Sequence, residues 1–565
     1  MSRPPVGRLN IDLDELLAII EQARHRPLRD EEAVKLSAAI ETLGWLTGEL
    51  EAQKTSARRL YRMLFGPSSE KTSVVFPQQE DDGEAAEAEQ TGARETDAGN
   101  AEDASEHSDE DTDKGNDKRK GHGRNPAAAY RGADKICVDH ESLKPGDLCP
   151  ACGQGKVYRQ QRPKVLVRVT GGAPLGAKVY ELSRLRCNLC GEVFTARAPP
   201  DAGRKKYDET AAATIALLRY GSGLPFNRLQ RLQASVGIPL PASTQWDVVH
   251  SAAPAVLPAY NELIRQAAQG ELFHNDDTKM PVLALTGKRR ATEAPDDDPP
   301  ERTGMFTTGI VSVVEGRRIA LFFTGRQHAG ENLTDVLKHR TAELASPIQM
   351  CDGLSRNVPE AFATILANCL SHARRYFVDV ADNFPAECRY VLETLAELFR
   401  NDAIARKRQM SAKQRLAFHQ AHSGPLMDEL KNWFDTQFKE RKVEPNSGLG
   451  QAFSYMLKRY SELTLFLRQP GAPLSNNVVE RALKRAIVHR KNSLFYRSLD
   501  GARVGDIFMS LIHTAELCGT DPLDYLVALQ QHAEQVANAP GAWMPWNYQA
   551  TRAELIDEAA GAAVA

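Results

Sequence analysis

No run of about 18 consecutive apolar residues occurs anywhere in the 565-residue chain, which excludes a hydropathic membrane span. The opening residues MSRPPVGRLN lack the charged-then-apolar pattern of an export signal, so the expected compartment is the cytoplasm. Cysteine is scarce: nine in a chain of this size cannot form a disulfide scaffold, and four of them fall in two C-x-x-C pairs, which points to metal. Neither sign of charge dominates, the formal net charge being -3. From Glu80 to Asp113 there is no aromatic residue, and Arg94 is the only basic one. That stretch cannot bury enough apolar surface to offset ordering and is expected to be disordered. The remainder is too long for one core and should divide into roughly three or four packed units.

The first of these is helical. Over residues 1–75, Leu36, Leu43, Leu50, Ala57 and Leu64 recur every seventh residue. With Ala33, Ile40, Thr47, Lys54 and Tyr61 at the companion positions they make a polar-interrupted seam, fitting a short coiled coil or a helix packed on its own chain. Residues 76–125 read as the acidic linker, closing in the basic run KRKGHGRN. Residues 126–205 then carry CPACG, with Cys149 and Cys152, and CNLCG, with Cys187 and Cys190. A glycine after each second cysteine permits the turn that wraps two thiolates round one tetrahedral Zn²⁺. The alternating runs VLVRV and KVYEL between the pairs are expected as strands of a zinc ribbon. Residues 206–268 look all-helical. There Leu229, Leu232, Val236, Gly237, Ile238, Leu240, Trp246 and Val249 resemble a helix-turn-helix whose second helix has almost no Lys or Arg.

Between 269 and 356 the pattern becomes mixed α/β. ELFHNDDTKMPVLAL, GMFTTGIVSVV and RRIALFFTGRQ read as three successive strands, ENLTDVLKHR as a helix and PIQMCDG as a fourth strand, with a long polar hairpin loop near 286–303. This is the first half of a ribonuclease-H-like fold, in which an acid on the first strand and one at the end of the fourth meet. Asp276 and Asp352 occupy those places. Residues 357–470 read as an all-α insertion, 471–505 as a helix completing the core and 506–565 as a helical tail. In the completing helix Asn477 reads as the N-cap, and Val479, Ala482, Leu483, Ala486 and Ile487 form one apolar stripe. Glu480 lies in line with that stripe, so its carboxylate needs a partner or a metal unless it merely closes a capping box with Asn477. Arg481, Lys484, Arg485, His489, Arg490 and Lys491 form a basic stripe suited to phosphates. Three carboxylates so placed suit two hard divalent cations, Mg²⁺ or Mn²⁺, and in-line phosphodiester displacement on nucleic acid. Strand alternation puts Asp276 and Asp277 on opposite faces and does not choose between them.

HNDDTKMPVL, QMCDG, CLSHARRYF and PLSNNVVERALKRAIVHRKNSLF resemble segments of the insertion-sequence-66 family of bacterial transposases, DDE enzymes on a ribonuclease-H-like fold. FGPSSEK, the GHGR stretch, the paired C-x-x-C ribbon, LCGTDPLDYL and the MPWNY tail extend the resemblance over nearly the whole chain outside the acidic linker. It implies Asp276, Asp352 and Glu480 as the catalytic, metal-holding triad. It also implies DNA cleavage and strand transfer at element ends, a nucleoid-associated homo-oligomer, and small accessory transposition proteins as partners. The family usually reads D-E-T at Asp276-Asp277-Thr278 and D-N-N at Ser475-Asn476-Asn477. A catalytically silent DNA-binding regulator and a nuclease without strand transfer are the competing expectations.

Overall fold

The computed structural model describes residues 13–39, 144–147, 154, 156, 158, 174–182, 184–186, 193–195, 197, 199, 205–294 and 301–564. The four C-x-x-C cysteines, the acidic linker, the basic run and all the heptad leucines except Leu36 lie outside these residues. The chain divides into two units, one of Met1–Gln79 with Pro174–Ala565 and one of Glu80–Ala173. In the second unit only a turn at Lys144, whose amide donates to Asp147 Oδ2 at 2.7 Å, and three isolated positions are described.

The first unit contains a small hairpin of β1 (Arg184–Arg186) and β2 (Val193–Thr195), antiparallel and flanking the second cysteine pair. KVYEL, expected as a strand, forms none; the strand pairing falls next in sequence to Cys187 and Cys190, and VLVRV lies outside the described residues. The expectation of helices over 208–267 holds, with Glu209–Ala216, Phe226–Ser235 and the 26-residue α1 (Ala242–Ala267). A glycine turn at Gly237, φ +75°, joins the last two. Along α1, however, Val249, Ala253, Val256, Tyr260 and Leu263 are buried in the main core. α1 thus packs one face on the main core, while Asp247, His250 and Ser251 on its other face are exposed.

Five strands form the central sheet: β3 (Leu272–Lys279), β4 (Phe306–Val314), β5 (Arg317–Gly325), β6 (Ile348–Cys351) and β7 (Ile365–Asn368). Their order is β5-β4-β3-β6-β7, the first three antiparallel and β6 and β7 parallel to β3. All three hairpin strands arise where the sequence pattern placed them. Among its described residues the polar loop between β3 and β4 contains a short helix, Gly287–Glu293. β7 lies in the stretch expected to be all-α: four residues offer too short a run for periodicity to separate strand from helix.

One face of the sheet carries α1 and α2 (Ala329–Leu337); the Ser312 hydroxyl donates to Ala267 O at 2.7 Å. The other carries α3 (Leu370–Val380) and α4 (Asn477–Ser493). The free edge of β5 is covered by α5 (Leu499–Leu517), in which Asp506, Ser510 and Thr514 recur every fourth residue and accept the amides of Thr324, Phe322 and Ala320 at 2.7, 3.0 and 3.1 Å. An exposed strand edge invites mispairing, and this ladder of side chains closes it. The tail boundary expected at 505/506 therefore falls inside a core helix. Helices between Leu370 and Leu474 build a second core that takes in Ile348, Met350 and Ala367 of the sheet, so the insertion is packed onto β6 and β7.

Candidate active site

β3 and β6 pair with Leu272 opposite Ile348, Phe273 opposite Gln349 and His274 opposite Met350. Extending that register by two residues sets Asp276 opposite Asp352, one residue past the end of β6, and directly paired residues share a face. On its other side Asp276 pairs with Gly309 of β4. A Cβ at Gly309 would stand 2.9 Å from Leu483 Cδ2 and 3.1 Å from Val479 Cγ2, so the missing side chain lets α4 press onto the strand next to Asp276. Glu480, in the first turn of α4, arrives over the same face.

Asp276 Oδ1 accepts its neighbour's amide, Asp277 N, at 2.8 Å. Burial pushes the Asp276 carboxyl up to about 7, the Asp277 amide opposing, and the charges of Asp352, Asp277 and Glu480 push it further up. Asp352 is positioned by Asn357, whose Nδ2 donates to Oδ1, and by the Leu354 amide at 3.4 Å. Asn357 is tied in turn to the strands: its carbonyl accepts Asn275 Nδ2 and Gln349 Nε2, both at 2.7 Å. The turn after Asp352 is braced by the insertion, Arg459 donating to Gly353 O at 2.9 Å with its guanidinium 4.4 Å above the Tyr455 ring. A side chain at Gly353 would collide with both.

Asp277 turns to the opposite face and is fully engaged. It accepts Thr308 Oγ1 at 2.6 Å, the Ala329 amide at 3.1 Å and stands 3.1 Å from His328 Nδ1, anchoring the N-terminus of α2. Its carboxylate has no share in the face that Asp276 and Asp352 occupy.

At the start of α4 the N-cap is Asn476, and neither it nor Asn477 makes a side-chain cap. Asn476 is buried and spends its side chain on β3, with Oδ1 3.0 Å from His274 Nδ1 and Nδ2 donating to Asn275 O at 3.0 Å. Burial lowers His274 to about 4, the Asn476 contact opposing. No capping box forms with Glu480. Its Oε1 is a buried atom without a hydrogen-bond partner, 3.7 Å from His372 Nδ1 of α3. Val479, Ala482, Leu483 and Ala486 are buried as expected, and Ile487, expected with them, is half-buried. His489, placed by periodicity on the basic face, is instead buried, its ring 4.5 Å from that of Tyr496 and driven down to about 3 by burial. Arg481, Lys484 and Lys491 are exposed. Arg485 binds Gly221 O at 3.1 Å and Glu516, and Arg490 reaches Thr278 Oγ1 at 3.1 Å and Lys279 O. These two arginines lash α4 to its neighbours.

Residues 204–504, more than half of the chain, match the family described as Transposase IS66 family. The chain belongs to that family of DDE transposases. It is also 27% identical over 449 residues to the uncharacterized protein y4hP of Sinorhizobium fredii (strain NBRC 101917 / NGR234), covering 75% of this chain and 77% of the relative. To the uncharacterized protein y4jD of the same strain it is 27% identical over 427 residues, covering 72% of this chain and 80% of the relative. The IS66 match spans β3, β6 and α4, and so all three acids. Among the described residues no helix is long and apolar enough to cross a membrane.

Sequence reasoning singled out the acids and missed what positions them. Gly309 had a readable signal, a glycine inside a strand pattern. Asn357 and Asn476 carried none, since buried asparagines look like turn residues until the fold brings them together.

Proposed function

We propose that this IS66-family chain cuts and joins DNA strands at the ends of an insertion sequence, with Asp276, Asp352 and Glu480 holding the divalent cations of the reaction. The observation that carries this reading is the electrostatic convergence of the three acids, in which Asp352 and Glu480 both push up the carboxyl of Asp276. A half-buried carboxyl crowded by two others fits Mg²⁺ or Mn²⁺, for which oxygen donors are preferred. Bound there, such ions would activate the attacking oxygen and stabilise the leaving oxygen of an in-line displacement. The protein's own part is positional. Asn357 fixes Asp352, Asn476 and Gly309 seat α4 so that Glu480 meets the strands, and Arg481, Lys484 and Lys491 offer an exposed cationic row to DNA phosphates, with Arg485 and Arg490 supporting the helix that carries them. Cys149, Cys152, Cys187 and Cys190 hold one structural Zn²⁺, the N-terminal heptads pair two copies so that two ends are held together, and accessory transposition proteins assist.

The test is incubation of the full-length protein with Mg²⁺ and a duplex carrying the DNA that flanks its gene. Nicking at inverted repeats followed by joining to a target is expected. Asp276→Asn, Asp352→Asn and Glu480→Gln should each lower cleavage at least about a hundredfold, since metal stabilisation supplies several kcal/mol, while DNA binding persists. Cleavage at the wild-type rate by Glu480→Gln would overturn the assignment, and cut ends released without joining would replace a transposase by a nuclease.

A further inference from the structure

α3 opens with Cys369 at its N-cap and carries His372 three residues on, so the two side chains rise beside each other at the first turn. Glu480 faces them from α4. The donor atoms of Cys369, His372 and Glu480 all lie within 4.8 Å of one another. His372 Nδ1 and Glu480 Oε1, 3.7 Å apart, are too distant for a hydrogen bond, yet both are buried atoms without any partner. Buried polar atoms left unpaired are rare, and here two of them face each other beside a thiol. The Cys369 sulfur is itself oriented, accepting the amide of Asn476 at 3.2 Å, the kind of outer contact that fixes a metal ligand.

We propose that Cys369, His372 and Glu480 form a three-donor site for a borderline-soft divalent cation of the Zn²⁺ or Co²⁺ class. A thiolate, an imidazole and a carboxylate make a set that Zn²⁺ takes tetrahedrally with one position open, whereas Mg²⁺ wants oxygen alone. Binding releases the Cys369 thiol proton to solvent and leaves the oxidation state of sulfur and metal unchanged. The site shares Glu480 with the proposed catalytic acids and joins α3 to α4 through the metal. Glu480 thus stands between a hard cluster made by Asp276 and Asp352 and a soft one made by Cys369 and His372.

Co²⁺ titration of the full-length protein tests this without reference to activity. The wild type is expected to take up one more Co²⁺ per chain than His372→Ala or Cys369→Ser. The difference spectrum between wild type and Cys369→Ser should show a thiolate-to-Co²⁺ charge-transfer band. The other cysteines are common to all three proteins and cancel. Glu480→Gln should weaken this uptake at least about tenfold. Cys369 is fully buried and its replacement risks the fold, so half-buried His372 carries the decisive comparison. Equal stoichiometry and equal affinity in wild type and His372→Ala would overturn the site. Lost DNA cleavage with the Co²⁺ difference intact counts against the proposed function alone, and intact cleavage without the difference counts against this site alone.

Discussion

Two carboxyls, one beside the edge strand of the sheet and one on its central strand, are pushed up to the same value and are built for different ends. Asp506, at the β5 edge, and Asp276, on β3, are both raised to about 7, chiefly by burial. Asp506 has its oxygens spent: Oδ2 accepts Thr324 N and Oδ1 accepts Thr324 Oγ1, each at 2.7 Å. Asp276 has one bond, to the amide of the next residue, and two acids for company. A raised carboxyl is therefore no sign of catalysis by itself. What separates the two is the inventory of partners: the edge acid completes a hydrogen-bond ladder, and the strand acid is left with an uncommitted oxygen and a repulsion that a proton or a cation relieves.

The pH dependence of stability follows from both acids. Below about pH 4 the folded and unfolded chains both keep these protons; between about 4 and 7 the unfolded carboxyls ionise first, so metal-free stability falls as pH rises through that window and flattens above it. Asp276→Asn should stabilise the metal-free protein by roughly 2–4 kcal/mol at pH 8 and by nothing near pH 4, measured by denaturant unfolding. If the gain is the same at both values, Asp276 is not the charge that burial and its neighbours oppose. Asp506→Ala, at pH 5 where the carboxyl is mostly protonated, should cost about 1–3 kcal/mol because the Thr324 amide and hydroxyl lose their acceptor. An unchanged midpoint would mean the ladder does not hold the edge. Gly309→Ala should cost about 1–3 kcal/mol through overpacking against Leu483 and Val479 and should also reduce cleavage by displacing α4. Cleavage at the wild-type rate would show that the close approach is dispensable. Asp277→Asn should have the smallest effect, about 1 kcal/mol from the loss of a charge at the start of α2, with cleavage retained. Abolished cleavage there, with Asp276→Asn active, would move the catalytic role one residue along β3.

The three hairpin strands, the helix after them and the fourth strand were legible because each is a run long enough for its periodicity to show. Asp276 and Asp352 could be set beside each other in advance because the topology brings the middle of the first strand next to the end of the fourth. Choosing Asp276 over Asp277 took the family resemblance, and the structure places Asp277 on the opposite face in contact with Thr308, His328 and Ala329. β7 stayed hidden because its four residues are too few to show a period. His489 was misread because the apolar stripe of α4 is wider than its first turns suggest, and an imidazole stacked on Tyr496 counts as core. The cap expected at Asn477 falls on Asn476, whose side-chain hydrogen bonds run across the fold to residues some two hundred positions earlier, a relation that no local pattern encodes.

The proposed function requires that the acids around Asp276 bind a cation and that Asp506 does not. Calorimetric titration with Mg²⁺, a cation that thiolate and imidazole serve poorly, tests it most directly. The expected result is binding that strengthens as pH rises through about 7, survives Asp506→Asn and disappears in Asp276→Asn. Equal Mg²⁺ binding by wild type and Asp276→Asn would contradict it.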